Sequence, residues 1–280
     1  MAARKPELTA ADFFQLMAAE YDQPLHEGFY RRVAAELLGM IPAGLPADAI
    51  LEVGAGSGFA TTLLRERFPM AGIVALEPSP EMMARGSSKA AGVEWTCRPL
   101  SDKAGGRFDL VTAFMSFHWL DPREQEMLIG LAVGGMLALA LPVTGGTGFA
   151  DEAGRGGGTD AGDQTCSGAE TAACGNAALL ELTRLLGGAR CWPRSVRRAA
   201  AVESRLRNHF PQVTRRGLGI RENYASGREF ADSLYIRGVL HALFAARAPE
   251  AREILAGKFP GGTGFRWDIE LLVASSRDNP

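Results

Sequence analysis

The sequence predicts an α/β protein built on a doubly wound, mostly parallel sheet with helices on both faces. Three observations predict it. From residue 49 onward, short apolar runs alternate with segments of helical periodicity. The first run, Ile50-Leu51-Glu52-Val53, opens into the glycine-dense Gly54-Ala55-Gly56-Ser57-Gly58. A segment with Ala60, Leu63, Leu64 and Phe68 on one side follows, so it can pack back onto the strand as a helix. Right-handed crossovers between parallel strands place every strand's C-terminal end along one edge, and that edge is where ligands bind.

Composition allows such a core and excludes several classes. The chain has 280 residues, of which 46% are hydrophobic and 22% charged, enough for one large domain or a domain with an elaboration. A formal charge of −2 gives no whole-chain reason to expect nucleic acid or a membrane surface as partner. The longest uncharged apolar stretch, 127–141, is short for a bilayer and is broken by Gly134-Gly135. No apolar run follows the basic pair Arg4-Lys5, so no secretory signal is expected. Cys97, Cys166, Cys174 and Cys191 lack paired metal spacing and the four histidines are scattered, so no metal site is expected. The expected location is a reducing cytoplasm.

The elements follow in order. Residues 1–48 read as a helical preface. Thr9 and Asp12 form a capping start for a helix carrying Phe14, Met17, Ala18 and Tyr21, and Tyr30, Val33, Ala34, Leu37, Leu38 and Ile41 make a second helical stripe that ends at Pro42. This preface could cover a sheet edge or form part of a pocket. Residues 49–143 form the core, with strands expected at 49–53, 72–76, 93–97, 108–114 and 136–141 and helices at 60–68, 80–90 and 122–132.

Residues 144–175 hold ten glycines among small and acidic residues, too few large apolar side chains to form a core element; they read as a flexible surface insertion. The part from 176 to 280 resumes the fold. It is expected to carry a helix through Ala177, Leu180, Leu182 and Leu185-Leu186, helices at 228–244 and 249–257, and a closing strand at 265–274. Between Arg184 and Arg221 lie ten arginines (184, 190, 194, 197, 198, 205, 207, 215, 216 and 221) against one acid, Glu203. They read either as a solvated face of helix and loop or as a docking surface for an acidic partner.

Spacing separates the cofactor classes that use such a loop. A dinucleotide fingerprint, G-x-G-x-x-G, needs glycine where Phe59 stands. The chain instead reads E-x-G-x-G-x-G from Glu52 to Gly58, and the acid Glu77 ends the second strand in Val74-Ala75-Leu76-Glu77-Pro78-Ser79. This pattern resembles the class I S-adenosylmethionine-dependent methyltransferases. Phe108-Asp109-Leu110-Val111 and Gly134-Gly135-Met136-Leu137 are similar to that family's entries into the fourth and fifth strands.

The resemblance implies a seven-stranded, Rossmann-like sheet and S-adenosylmethionine as cofactor. It assigns Glu77 to the ribose hydroxyls and Glu52 to the methionine end, with Gly54, Gly56 and Gly58 in the loop and Pro78, Ser79, Met82, Phe114 and Tyr21 beside them. A carboxylate can accept both ribose hydrogen bonds at once. The family's usual acid after the third strand is replaced by Cys97-Arg98-Pro99, leaving Asp102 or backbone groups to meet the adenine.

Acceptor residues are expected after the fourth strand, in Phe114-Met115-Ser116-Phe117-His118-Trp119. The (N/D)-P-P-(Y/F) motif of enzymes that methylate DNA bases or amide nitrogens is missing there. His118 is a candidate general base or a packed histidine, and Trp119 a candidate pocket wall. No catalytic residue is firm; Tyr21 and His118 are the candidates.

Four segments are similar to the malonyl-acyl-carrier-protein O-methyltransferases of biotin synthesis: residues 14–38, Ser116 to Trp119, Ser233-Leu234-Tyr235-Ile236-Arg237-Gly238, and 271–277. By this resemblance Tyr21 covers the cofactor and Arg237 joins His118 and Trp119 at the acceptor. The implied acceptor is the free carboxylate of malonyl on its acidic carrier, which the arginines of 184–221 could steer. Another small carboxylic acid or metabolite as acceptor, an NAD(P)-dependent oxidoreductase, and a non-catalytic module on the same fold stay open.

Overall fold

The architecture was taken from a computed structural model of the chain. It describes residues 9–102, 106–142, 178–179, 181–182, 185–186 and 199–276. The expected insertion at 144–175 lies outside the described residues, as do Cys166, Cys174, Cys191 and the arginines 184, 190, 194, 197 and 198. The chain divides into two compact units, one of 1–142, 198–218 and 270–280, the other of 143–197 and 219–269.

In the first unit α1 (Ala10–Tyr21) and α2 (Pro24–Leu38) precede the sheet. The capping box expected at Thr9 is present: the Thr9 side chain accepts from the Asp12 N–H at 3.2 Å, and the Asp12 carboxylate accepts from the Thr9 N–H. The next elements are β1 (Ala49–Val53), α3 (Phe59–Arg67), β2 (Gly72–Leu76), α4 (Pro80–Lys89), β3 (Glu94–Thr96), β4 (Leu110–Phe114), α5 (Pro122–Ala132) and β5 (Met136–Pro142). These five strands are parallel, paired in the order β3-β2-β1-β4-β5. Such strands are buried on both faces, which is why β5 reads as an unbroken apolar run with all seven residues buried.

Asp109 explains the Phe-Asp entry to β4. Its carboxylate accepts the N–H groups of Asp48 at 2.9 Å and Ala49 at 3.0 Å, so one side chain holds the starts of β1 and β4 level. On one face, Leu51, Val53, Val111, Ala113, Leu137 and Leu139 pack with Leu128, Ile129 and Ala132 of α5 and with Val202 and Leu206 of α6 (Ala199–Arg207).

Beyond β5 the sheet continues with β7 (Thr263–Ser275) and then β6 (Gln212–Tyr224). The Ser276 N–H just past β7 donates to Gly135 O just before β5, at 3.0 Å, so these two neighbours run antiparallel. The sheet is therefore seven-stranded and mostly parallel. Within 184–221 the stretch 199–207 is helical as expected, and strand β6 corrects the expectation of helix and loop for 212–221. From Leu218 its side chains alternate, with Ile220, Glu222 and Tyr224 buried between exposed neighbours; an acid at an inward position and the surrounding arginines hide that alternation in the sequence.

The second unit holds the outer parts of β6 and β7 with α7 (Gly227–Ile236), α8 (Val239–Phe244) and α9 (Ala248–Lys258). The single helix expected at 228–244 is broken at Arg237-Gly238, where Gly238 takes a φ of 77°. Among the described residues no helix is long and apolar enough to cross a membrane.

Candidate active site

A cavity of about 520 Å³ opens in the first unit at the C-terminal ends of β1, β2 and β4. Its floor is the loop that follows β1. Leu76 O accepts the N–H groups of Gly54 and Ala55 at 2.9 and 3.0 Å, which fold the loop back over the end of β2. Gly54 has a φ of 70°, and a Cβ there would stand 2.5 Å from the Ser116 Cβ. Gly58 has a φ of 84°, caps α3, and would put a Cβ 2.9 Å from the Gly86 Cα of α4. Close backbone approach explains both positions.

Glu77, buried at the end of β2, is held from two sides. Its Oε2 accepts the Gly56 N–H at 2.8 Å and its Oε1 the Ser79 N–H at 2.9 Å. Each oxygen keeps a further acceptor position for a ligand hydroxyl. Burial raises its pKa, and the two backbone donors oppose that rise. Ser79 does not line the cavity. It caps α4, accepting the Met82 N–H at 3.3 Å, and its hydroxyl donates to Gln15 Oε1 of α1 at 2.8 Å.

Glu52 is only 1% exposed, and its Oε2 has no hydrogen-bond partner. Burial pushes its carboxyl up to about 8, with the charge of Glu77 adding to the rise and the Thr61 hydroxyl opposing it. An orphaned carboxylate oxygen on a cavity wall suits a cationic ligand group.

The opposite wall is aromatic. The Tyr21 ring stacks with Tyr30 at 5.6 Å and with Phe59 at 6.3 Å, while Phe14 meets Tyr21 and Trp119 edge-on at 6.0 and 5.5 Å. Helix α1 is tied down at its far end by Asp22, which pairs with Lys89 of α4 at 2.8 Å; Lys89 also lies 4.4 Å over the Phe59 ring. The preface thus forms cavity wall, one of the two roles its periodicity left open.

Of the expected site residues, Tyr21, Glu52, Gly54, Gly56, Glu77, Pro78, Met82, Phe114 and Trp119 line this one cavity. Gly58, Ser79 and His118 do not. Gly58 and Ser79 shape the loop and α4 behind the wall. His118 sits in the short helical turn after β4, buried, and burial lowers its pKa to about 3, so its imidazole is neutral and too weak a base for proton abstraction near neutrality.

Arg237 belongs to the second unit. Its guanidinium is bidentate to Glu222, with Nη1 and Nη2 donating at 2.6 and 2.8 Å, and it is not among the residues that line the cavity. Where the family's acid is missing, Arg98, Pro99 and Leu100 line the cavity, and Asp102 does not.

Several wall residues were not anticipated. Tyr30 and Val33 stood in the sequence only as members of the second helical stripe, and Phe59 only as the residue that breaks the dinucleotide fingerprint. Met115 takes a φ of 54°, the one non-glycine residue with positive φ among the described residues, and nothing in its local sequence signals this.

The arginine-rich stretch is also resolved differently in space. Arg205 pairs with Glu126, Arg207 with Glu203, Arg215 with Glu203 and Glu270, and Arg216 with Glu36. Three of those acids lie far away in sequence.

A family model for a methyltransferase domain matches residues 51–132. The chain is 31% identical over 130 residues to a trans-aconitate 2-methyltransferase of Acidovorax sp. (strain JS42), covering 44% of this chain and 50% of the relative. It is 32% identical over 112 residues to a malonyl-[acyl-carrier protein] O-methyltransferase of Herminiimonas arsenicoxydans, covering 39% and 41%. The chain thus spans half or less of the length of these relatives.

A solved Haloferax volcanii complex between the Trm112 methyltransferase activator and a methyltransferase is similar in fold, with a TM-score of 0.52 at 14% identity over 95% of this chain and 98% of that one. The domain match makes residues 51–132 similar to a methyltransferase domain, and the strand order and the Glu52–Gly58 loop with Glu77 agree with the Rossmann-like fold of such domains.

Proposed function

We propose that this protein transfers a methyl group from S-adenosylmethionine to a carboxylate oxygen of its acceptor. The observation that carries the donor half is the pairing of Glu77, held by the Gly56 and Ser79 N–H groups, with Glu52 and its orphaned oxygen in the lining of one cavity. Bound S-adenosylmethionine supplies a sulfonium methyl to which an acceptor oxygen adds as the sulfur–carbon bond breaks, leaving a neutral sulfide and a methyl ester.

The chain's own residues bind and orient. Glu77 accepts the ribose hydroxyls, Glu52 is the counter-ion at the cationic end, and Pro78, Met82 and Phe114 give apolar contact. Phe14, Tyr21, Tyr30, Phe59 and Trp119 keep water from the reacting centre, where alignment and desolvation provide the rate.

A carboxylate acceptor follows from two supports. Relatives named for trans-aconitate and for malonyl on acyl carrier protein act on different molecules that share an ionised carboxylate. Such an acceptor needs no general base, and His118, held at about 3, is a poor one. Malonyl on its carrier is the first acceptor to try and trans-aconitate the second. Steering of an acidic carrier by 184–221 gains little support from arginines already paired with acids.

The test uses methyl-labelled cofactor with malonyl carrier protein, malonyl coenzyme A and trans-aconitate. A methyl ester releases its label as methanol in mild alkali. Alkali-stable label on any acceptor would reject carboxylate chemistry, and labelled trans-aconitate alone would reject the carrier.

A further inference from the structure

The cavity contains a charge problem that the methyltransferase reading does not by itself resolve. Glu52 is buried in β1, one of its oxygens has no hydrogen-bond partner in the protein, and the charge that acts on it is that of a second carboxylate, Glu77. The other titratable groups on the cavity wall are Tyr21, Tyr30, Arg98 and Glu124. Withdrawal from water beside a like charge favours the neutral acid of such a carboxylate near neutral pH. A sulfonium or ammonium brought into the same cavity reverses the preference, because the ionised form then gains a partner at low dielectric.

We propose that Glu52 is a proton-exchanging counter-ion, neutral while the cavity is empty and ionised when the cationic end of the donor is bound, so that each donor molecule taken up releases one proton to solvent. The Glu52 O–H bond breaks, the proton passes to buffer, and the carboxylate's electron pair stays in the cavity facing the ligand's positive charge. After methyl transfer the ligand has lost one of its positive charges, so the carboxylate is less well compensated and the proton tends to return. Donor and product therefore differ in the proton each displaces as well as in shape. The inference rests on S-adenosylmethionine being the ligand of this cavity.

The direction of the pH effect follows from linkage. Binding favours the deprotonated group, so donor affinity rises with pH through the free group's titration and levels off above about 8. Calorimetry of S-adenosylmethionine binding in buffers of different ionisation enthalpy reads the proton count directly. At about pH 6.5 the ligand's own amino group is already protonated and contributes little.

Close to one proton released is expected for S-adenosylmethionine, less for S-adenosylhomocysteine, and none for adenosine, which has no charged end. Glu52→Gln should remove the release, together with the roughly tenfold gain in affinity per pH unit below the titration. Binding without proton release, release that persists in Glu52→Gln, or equal release with adenosine would each overturn the proposal. If the variant does not fold, the comparison with adenosine on the unaltered protein still decides it. Failure of S-adenosylmethionine to bind at all would instead sink the donor assignment.

Discussion

Glu52 on β1 and Glu222 on β6 are both withdrawn from water, at 1% and 7% exposure, yet their surroundings drive them in opposite directions. Glu222 accepts from Arg237 at 2.6 and 2.8 Å, from the Tyr224 hydroxyl at 2.7 Å and from the Trp267 indole N–H at 2.6 Å. Burial acts to raise its pKa, but Arg237 and these donors together hold it below the usual carboxylate range. Glu52 has an oxygen without a partner and is pushed up instead. A buried acid with both oxygens bonded to neighbouring side chains binds its own fold together. One with a vacant acceptor site on a cavity wall is a binding group held ready for a ligand. The Arg237 guanidinium, 5.1 Å from the Trp267 ring, is thus part of a clamp joining β6, α7 and β7.

The comparison can be broken most severely at the clamp. Arg237→Ala leaves Glu222 buried without its cation and should cost about 3–5 kcal/mol, read by denaturant unfolding; a loss under about 1 kcal/mol would mean the network is not structural. Glu77→Ala removes charged hydrogen bonds from the ligand side. It should weaken donor binding by about 1.5–3 kcal/mol, roughly 10- to 150-fold, in calorimetry with the fold intact by circular dichroism.

The two acids should also give opposite pH slopes to unfolding of the ligand-free protein. Glu52 has a folded pKa above its ordinary 4.5, so between 4.5 and about 8 the native state binds more protons than the unfolded one. Stability falls as pH rises through that window, and Glu52→Gln should flatten the fall. Glu222 has a lowered folded pKa, so its contribution is complete above the unfolded value and is lost as pH drops through the folded one. A wild-type profile unchanged by Glu52→Gln would remove the contrast.

The smallest effect is expected at the tie on α1. Asp22→Asn weakens the partly exposed pair with Lys89 and should cost no more than about 1 kcal/mol of stability, while modestly raising the donor dissociation constant.

Much of the first unit was legible because its signals are local. Strands 49–53 and 72–76 and the helix at 122–132 emerge with their expected bounds, since a strand buried on both faces declares itself as an apolar run and a capping residue marks a helix start. Strand β6 was not legible: its inward Glu222 looks like surface until Arg237 is brought to it from fifteen residues away. The acid partners of Arg205, Arg215 and Arg216 were not legible for the same reason, since Glu126, Glu270 and Glu36 are distant along the chain.

By itself the sequence located the glycine loop and the strand-end acid that line the cavity, because glycine spacing, a strand-end acid and hydrophobic period all act over a few residues and need no knowledge of the rest. Only the tertiary structure decided which side chains share a cavity and which acids have partners. It moved His118 behind the wall, consumed Arg237 in an ion pair and made Tyr21, Tyr30 and Phe59 one aromatic surface. The charge state of a buried group is a sum over neighbours gathered by folding, and those neighbours are seldom adjacent in the chain.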